Sequence, residues 1–454
     1  MKDKGGVDSS PVVTVIGGGL AGCEAAWAAA GMGCRVKLYE MKPKRFSPAH
    51  TIPQLAELVC SNSLRSDAPE SAVGLLKEEM RRMGSLLMRV AEECRVPAGK
   101  ALAVDRQQFA ASVTRHLTKK TAIEIINEEV RELAPDCGLD PASPLILATG
   151  PLTTGELTAS LARFTGGDYL FFYDAIAPVI AVDSLDRTII YQASRYDDGP
   201  GDYLNCPLDE EQYNNFITAL KEAEKVPFRD FEKPRYFEGC LPIEVMAERG
   251  DNTPRFGPMK PVGLPDPRTG CDPWAVVQLR FENRAATMVN MVGFQTKLTY
   301  GEQKRVFSMI PGLQGADFVR LGSIHRNTFV RAPELLNRYL QLVERPGLLL
   351  AGQISGVEGY VESMAMGLLA GRNAACLALG LPLAAPPPDT AHGALLNHLT
   401  NREVKHFQPS NINFGLFPRL DKRLPKKLKG KYRAEIALAS LEKWLAAEGR
   451  PLPL

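Results

Sequence analysis

At 454 residues, with 45% apolar and 23% charged side chains, the chain has the composition of an ordinary globular protein and room for two or three domains, which excludes a single small module. No apolar run reaches the roughly eighteen residues a membrane span needs, and the charged start MKDKGGVDSSPVV lacks the apolar stretch of a secretory signal, so the cytoplasm is the default location. A net charge of +2 is close to balance, and nine cysteines without CxxC pairs or histidines at zinc spacing argue against a disulfide framework or a structural metal.

In chain order, Val12 to Ile16 reads as a β-branched strand, Gly17 to Gly22 as a glycine turn, and the alanine-rich stretch through Ala30 as a helix. A second strand, Val36 to Tyr39, ends on Glu40 and completes a βαβ unit. Helical patterns follow over Ser71 to Glu93 and Asp105 to Leu117, then a short buried strand in Leu145 to Gly150 (LILATG). From about Pro151 to Arg320 aromatics, prolines and short alternating runs such as Trp274 to Leu279 and Thr287 to Phe294 predict antiparallel strands. Gly347 to Gly352 (GLLLAG) is another buried strand, and Glu358 to Leu379 a small-residue helix containing Gly367 and Gly371.

This order, together with the glycine turn and with the resemblance of the ATG and LAG strand ends to flavoprotein segments, predicts an α/β protein: a Rossmann-like FAD-binding domain of the two-dinucleotide flavoprotein type carrying an inserted α+β domain. The expected divisions are 11–155 and 321–385 for the two parts of the FAD domain, 156–320 for the insertion, and 386–454 for a linker and basic C-terminal segment. Residues 401–454 hold twelve Lys/Arg against five Asp/Glu, a net of +7 that leaves −5 for the rest. Such clustering suits a polyanion such as RNA, although a solvated terminal helix is the blander reading.

Gly17-x-Gly19-x-x-Gly22, with Gly18, Leu20 and Ala21 between, lets the backbone turn tightly, bring N–H groups against a pyrophosphate and pack helix on sheet. Glu40 stands where an acid accepts hydrogen bonds from an adenosine ribose and disfavours a 2′-phosphate. Ala148-Thr149-Gly150 and Leu350-Ala351-Gly352 resemble later segments of two-dinucleotide flavoproteins, which favours FAD over NAD. In that arrangement the helix near Glu358 and Gly359 aims its positive end at the flavin. A glycine-rich helix packing closely against a sheet for its own sake is the alternative.

Gly17 to Trp27 (GGGLAGCEAAW), Val36 to Pro43 (VKLYEMKP), Glu57 to Ser66 (ELVCSNSLRS), Val96 to Arg106 (VPAGKALAVDR), Phe237 to Ala247 (FEGCLPIEVMA), Phe256 to Gly263 (FGPMKPVG), His325 to Phe329 (HRNTF) and Gly352 to Ser363 (GQISGVEGYVES) together resemble the folate- and FAD-dependent tRNA uracil-5-methyltransferase family. The resemblance runs from the first strand to Asn413. It implies transfer of one carbon from methylenetetrahydrofolate to C5 of the uridine at tRNA position 54, with FAD reduced by NAD(P)H supplying electrons. A related wobble-uridine-modifying family shares the glycine motif but not the ELVCSNSLRS and FEGC segments.

Because C5 of uracil is a poor nucleophile until a group adds at C6, such chemistry needs a thiolate. The resemblance assigns that attack to Cys240. It assigns proton transfer or thiolate support to Cys60, where Ser61, Asn62 and Ser63 are expected to begin a helix whose dipole lowers the thiol pKa. Tyr360 matches a family aromatic near folate and flavin; as a flat ring it is expected to stack on the ring system. Without the resemblance, inert buried thiols and a core tyrosine are the plainer readings. His325 and Arg326 are expected at the folate glutamate or an RNA phosphate. Lys260, Arg280 and Lys297 are expected to face RNA, and Lys405, Lys426, Lys427, Lys429 and Lys431 to grip tRNA phosphates. Cys23 departs from the family's small residue in the glycine loop, and the ten residues before Pro11 read as an extension. Oligomeric state stays open, with a monomer as the default. Rival readings keep FAD for wobble-uridine modification or metabolite oxidation, keep RNA binding without methyl transfer, or replace both cofactors by S-adenosylmethionine.

Overall fold

The computed structural model describes residues 10–133, 140, 142–166, 169–196, 199, 201–227, 236, 241–404 and 407–452. The β-branched opening run forms β1 (Val12–Ile16), followed by α1 (Leu20–Gly31) and β2 (Arg35–Tyr39), paired with β1 in parallel from Val12↔Arg35 to Ile16↔Tyr39. Next come β3 (Ser63–Ser66), α2 (Ala72–Arg82), α3 (Leu86–Glu93), β4 (Arg95–Val96), β5 (Ala101–Val104), α4 (Arg106–Lys119), β6 (Ile123–Ile126) and β7 (Leu145–Leu147). The single helix expected over Ser71 to Glu93 is two. Gly84 adopts φ +79°, and Ser85 restarts the helix by accepting the Met88 N–H at 3.1 Å.

The middle of the chain supplies α5 (Gly155–Thr165), β8 (Tyr169–Ala175), β9 (Val179–Ala181), β10 (Tyr191–Ala193), β11 (Tyr203–Leu208), α6 (Glu210–Glu222), α7 (Ile243–Arg249), α8 (Thr253–Phe256), β12 (Ala275–Phe281), β13 (Met288–Met291), α9 (Tyr300–Phe307) and β14 (Phe318–Arg320). After these come β15 (Ile324–Val330), α10 (Ala332–Leu335), β16 (Leu348–Leu350), α11 (Tyr360–Ala378), α12 (Ala391–Thr400) and α13 (Lys426–Glu448).

Five parallel strands in the order β16-β7-β1-β2-β6 make the first sheet, and the order reverses at β1, with β2 and β6 on one side and β7 and β16 on the other. In such a sheet a ligand crevice lies beyond the carboxyl ends of the strands at the switch point. Six strands, β10-β11-β12-β13-β9-β14, make an antiparallel sheet with its own apolar core, in which Phe216, Phe294 and Phe307 are fully buried. The seven-residue β8–β15 ladder links the two regions.

The α11 glycines have a packing reason. A Cβ on Gly367 or Gly371 would overlap the backbone carbonyls of Ala21 and Ala25, so two small-residue helices lie against each other with only backbone between them. The alternative expectation is close packing of this helix against a sheet; its glycines instead pack against helix α1.

Candidate active site

Where β1 ends, Gly17 takes φ +103° and a Cβ there would stand 2.6 Å from the Ala148 carbonyl oxygen. A Cβ on Gly22 would overlap the carbonyl oxygen of Gly17 itself. The turn thus closes only with glycine at both positions. Gly19 precedes α1 and offers no side-chain cap, which leaves the first N–H groups of a 12-residue helix directed at the cleft. Glu40 is nearly buried. One of its oxygens accepts the Gly18 N–H at 2.7 Å and the other the Lys42 N–H at 2.9 Å, so the acid also fastens the glycine loop to the end of β2.

These groups border a cleft that opens to solvent and runs on past Thr149 and Gly150 to Gly352, Gln353, Tyr360 and Ser363. α11 begins at Tyr360 behind Gly359 (φ +109°), again without a side-chain cap, and its N-terminal end meets the cleft. A side-chain-free phosphate cradle, an uncapped helix start and an acid at the end of β2 fit FAD. Substituting Glu40→Gln is expected to weaken FAD binding by about tenfold to a hundredfold, because a neutral amide accepts the Gly18 N–H and ribose hydroxyls less strongly. Fluorescence titration of the apoprotein with FAD measures this.

Cys60 lies on the connection between β2 and β3. The Tyr360 hydroxyl accepts the N–H groups of Cys60 at 2.6 Å and Ser61 at 3.1 Å, and the Cys60 Sγ lies 3.8 Å from the Ala175 carbonyl oxygen. This corrects two expectations. Ser61 to Ser63 lead into strand β3, not a helix, so no helix dipole supports the thiolate. Burial instead pushes the thiol up to about 12; Asp174 and Glu358 add to the rise, and Arg106 and Arg320 oppose it. In the FAD-bound protein without tRNA, iodoacetamide is accordingly expected to label exposed Cys271 readily near pH 8 and Cys60 only as the pH climbs toward strongly alkaline values. Peptide mass spectrometry across a pH series reads both. Tyr360 keeps its place at the cleft but has a second task, holding the Cys60 loop.

Other expected residues separate. Cys240 and Lys405 lie outside the described residues; of the residues flanking Cys240, Tyr236 bridges to Tyr173 and Leu241 is buried. Arg280, expected to face RNA, is buried; its Nε donates to Asn62 Oδ1 at 2.9 Å and its Nη2 to Ser61 Oγ at 2.7 Å. Lys297 is likewise buried, its Nζ donating to the Tyr236 hydroxyl at 2.8 Å. Lys260, Lys427, Lys429 and Lys431 are exposed. The side chains of Lys426 and Arg326 are outside the described set. His325 pairs with Asp174 across the β8–β15 ladder, shares a 2.9 Å hydrogen bond with Ser323, and is held below the usual imidazole range by burial and His50. Cys23 lies in the first turn of α1, buried with its Sγ 3.3 Å from the Gly18 carbonyl oxygen, and burial pushes its thiol far up, so it packs there as an inert side chain. Sequence reasoning missed Arg320, whose Nη1 donates to the Val59 carbonyl at 3.0 Å; no local pattern around Phe318 to Arg320 marks it.

The parallel sheet, glycine cradle and terminal acid define the chain as a Rossmann-type flavoprotein. Its sequence matches the family "Glucose inhibited division protein A" over residues 12–382. Among curated proteins it is 60% identical to the methylenetetrahydrofolate–tRNA-(uracil-5-)-methyltransferase TrmFO of Desulfotalea psychrophila, covering 95% of this chain and 96% of the relative. It is 59% identical to that of Geobacter sulfurreducens, covering 96% and 99%. The chain belongs to the TrmFO family, within the wider glucose inhibited division protein A family. Two crystal forms of Aquifex aeolicus GidA align with TM-scores of 0.70 and 0.67 over 98% and 97% of this chain and 74% and 78% of theirs; at 16% and 17% identity they share the fold.

Proposed function

We propose that the chain forms 5-methyluridine in tRNA, at T-loop position 54, taking the carbon from methylenetetrahydrofolate. The observation that carries this reading is the Tyr360 hydroxyl, which ties a lining residue of the dinucleotide cleft to the Cys60 backbone at 2.6 Å and so sets a thiol beside the cofactor site. When bound and reduced by NAD(P)H, FAD supplies the two electrons that convert the transferred methylene into a methyl group. Gly17 to Gly22 and Glu40 hold its adenosine diphosphate portion. The Cys240 thiolate adds to C6 of uracil, which makes C5 nucleophilic toward the folate methylene carbon. The C5 proton then leaves to a base as the bond between the methylene carbon and the folate nitrogen breaks and tetrahydrofolate departs; the methylene would take up a hydride equivalent from the reduced flavin to become a methyl group, and the Cys240 sulfur departs from C6, restoring the ring. Cys60, held as a neutral thiol by burial, suits proton transfer better than attack. The exposed lysines of α13 offer charge to tRNA phosphates, and no described helix is long and apolar enough to cross a membrane.

The test is incubation of the FAD-loaded protein with unmodified tRNA, NADPH and methylenetetrahydrofolate labelled in its methylene carbon. Nucleoside mapping is expected to find label in 5-methyluridine at position 54. Label at the wobble position, or none, overturns the reading.

A further inference from the structure

We propose that Arg280 and Arg320, reaching from the antiparallel sheet, are positioning residues that fix the Cys60 loop for its part in catalysis. The inference rests on the reading that places Cys60 at the reacting centre. The loop is held from two sides. Tyr360 takes its amide hydrogens, while Arg320 donates to the carbonyls of Val59 at 3.0 Å and Cys60 at 3.5 Å. Arg280, near the end of β12, grips the next two side chains, Ser61 and Asn62. Asn62 is fully buried and passes the constraint on by donating to the carbonyls of Val104 at 3.0 Å and Phe281 at 2.9 Å. Four consecutive residues, 59–62, therefore have their polar groups committed to the α11 start, to β5 and to the second sheet.

The arrangement is costly, which argues that a simple need to close a loop does not explain it. Arg280 is buried, and Arg320 and Arg106 each carry a buried Nε without a hydrogen-bond partner among the described residues. Arg106 pairs with Glu282 at 2.8 Å. Burying guanidinium groups and leaving N–H donors unmatched opposes folding, and such features concentrate where function fixes a geometry. The groups whose charge acts on the thiol include Asp174 from β8, Arg106 from α4, Arg280 from β12, Arg320 from β14, Glu358 ahead of α11 and Tyr360 at its start. A shift of the loop would change its distance to every one of them.

Arg280→Gln, Arg320→Gln and Arg320→Lys, each prepared as the FAD-loaded full chain, test this. The glutamine variants are expected to lower kcat by about tenfold or more with the KM for tRNA and folate within about twofold, the split expected when a group acts on the reacting centre and not on binding. Deuterium uptake is expected to rise in the peptide spanning 57–63 and to stay unchanged in the five-stranded sheet. Arg320→Lys, still able to donate to the Val59 carbonyl, is expected to recover part of kcat. Unchanged kcat, or a fall in kcat with unchanged exchange in 57–63, overturns the proposal. So does loss confined to KM. Should wild-type protein transfer no methyl group, the functional reading fails by itself, while the exchange measurement still judges the clamp.

Discussion

Gly22→Val is expected to give a protein that purifies without flavin and is destabilised by at least about 3 kcal/mol, the range of severe overpacking and strain. Even a methyl group at this position overlaps the carbonyl oxygen of Gly17, and Gly17 itself stands so close to Ala148 that a Cβ on it would lie 2.6 Å from the Ala148 carbonyl oxygen. The turn must open, which drags the start of α1 away from the cleft and disturbs the glycine-mediated contact of α1 with α11. Visible absorbance of the purified variant and its thermal melting midpoint report both consequences. A variant that stays yellow and melts with the wild type would show that the turn is not packed as described.

Cys240→Ala is expected to reduce methyl transfer by at least about a thousandfold while leaving FAD content and NADPH-driven flavin reduction intact, because removing a covalent nucleophile closes a route that nothing else supplies. Cys60→Ala is expected to cost less, about a hundredfold to ten-thousandfold, the range of a general acid or base. Single-turnover assays with labelled folate give both numbers. A Cys240 variant with normal turnover would remove the nucleophile assignment, and a reversed order of the two effects would exchange the roles.

The parts of this molecule written in neighbouring residues were legible before the structure. Val12 to Glu40 spells out strand, turn, helix, strand and acid because each element depends on its own β-branched, glycine or alanine residues. The late segment Leu348 to Leu350 joins the same sheet as its short apolar run implied. What was missed depends on partners far along the chain. Arg280 looks like a surface cation in an alternating strand, but its partners Ser61 and Asn62 are more than two hundred residues away, and only the fold brings them together. Ser61-Asn62-Ser63 has the composition of a helix start, yet Asn62 is consumed by Val104 and Phe281, and the segment extends into β3 to pair with β5. The break at Gly84 could have been read from the glycine followed by a capping serine; the regular apolar spacing on both sides hid it.

FAD seated where β1 turns into α1 is the condition for every functional step above. Titrating the flavin-stripped protein with FAD, while following the visible flavin band and protein fluorescence, tests it most directly. Saturable uptake of one FAD per chain, sharply weakened by Glu40→Gln, is the expected result; a wild-type protein that stays colourless in excess FAD would contradict it.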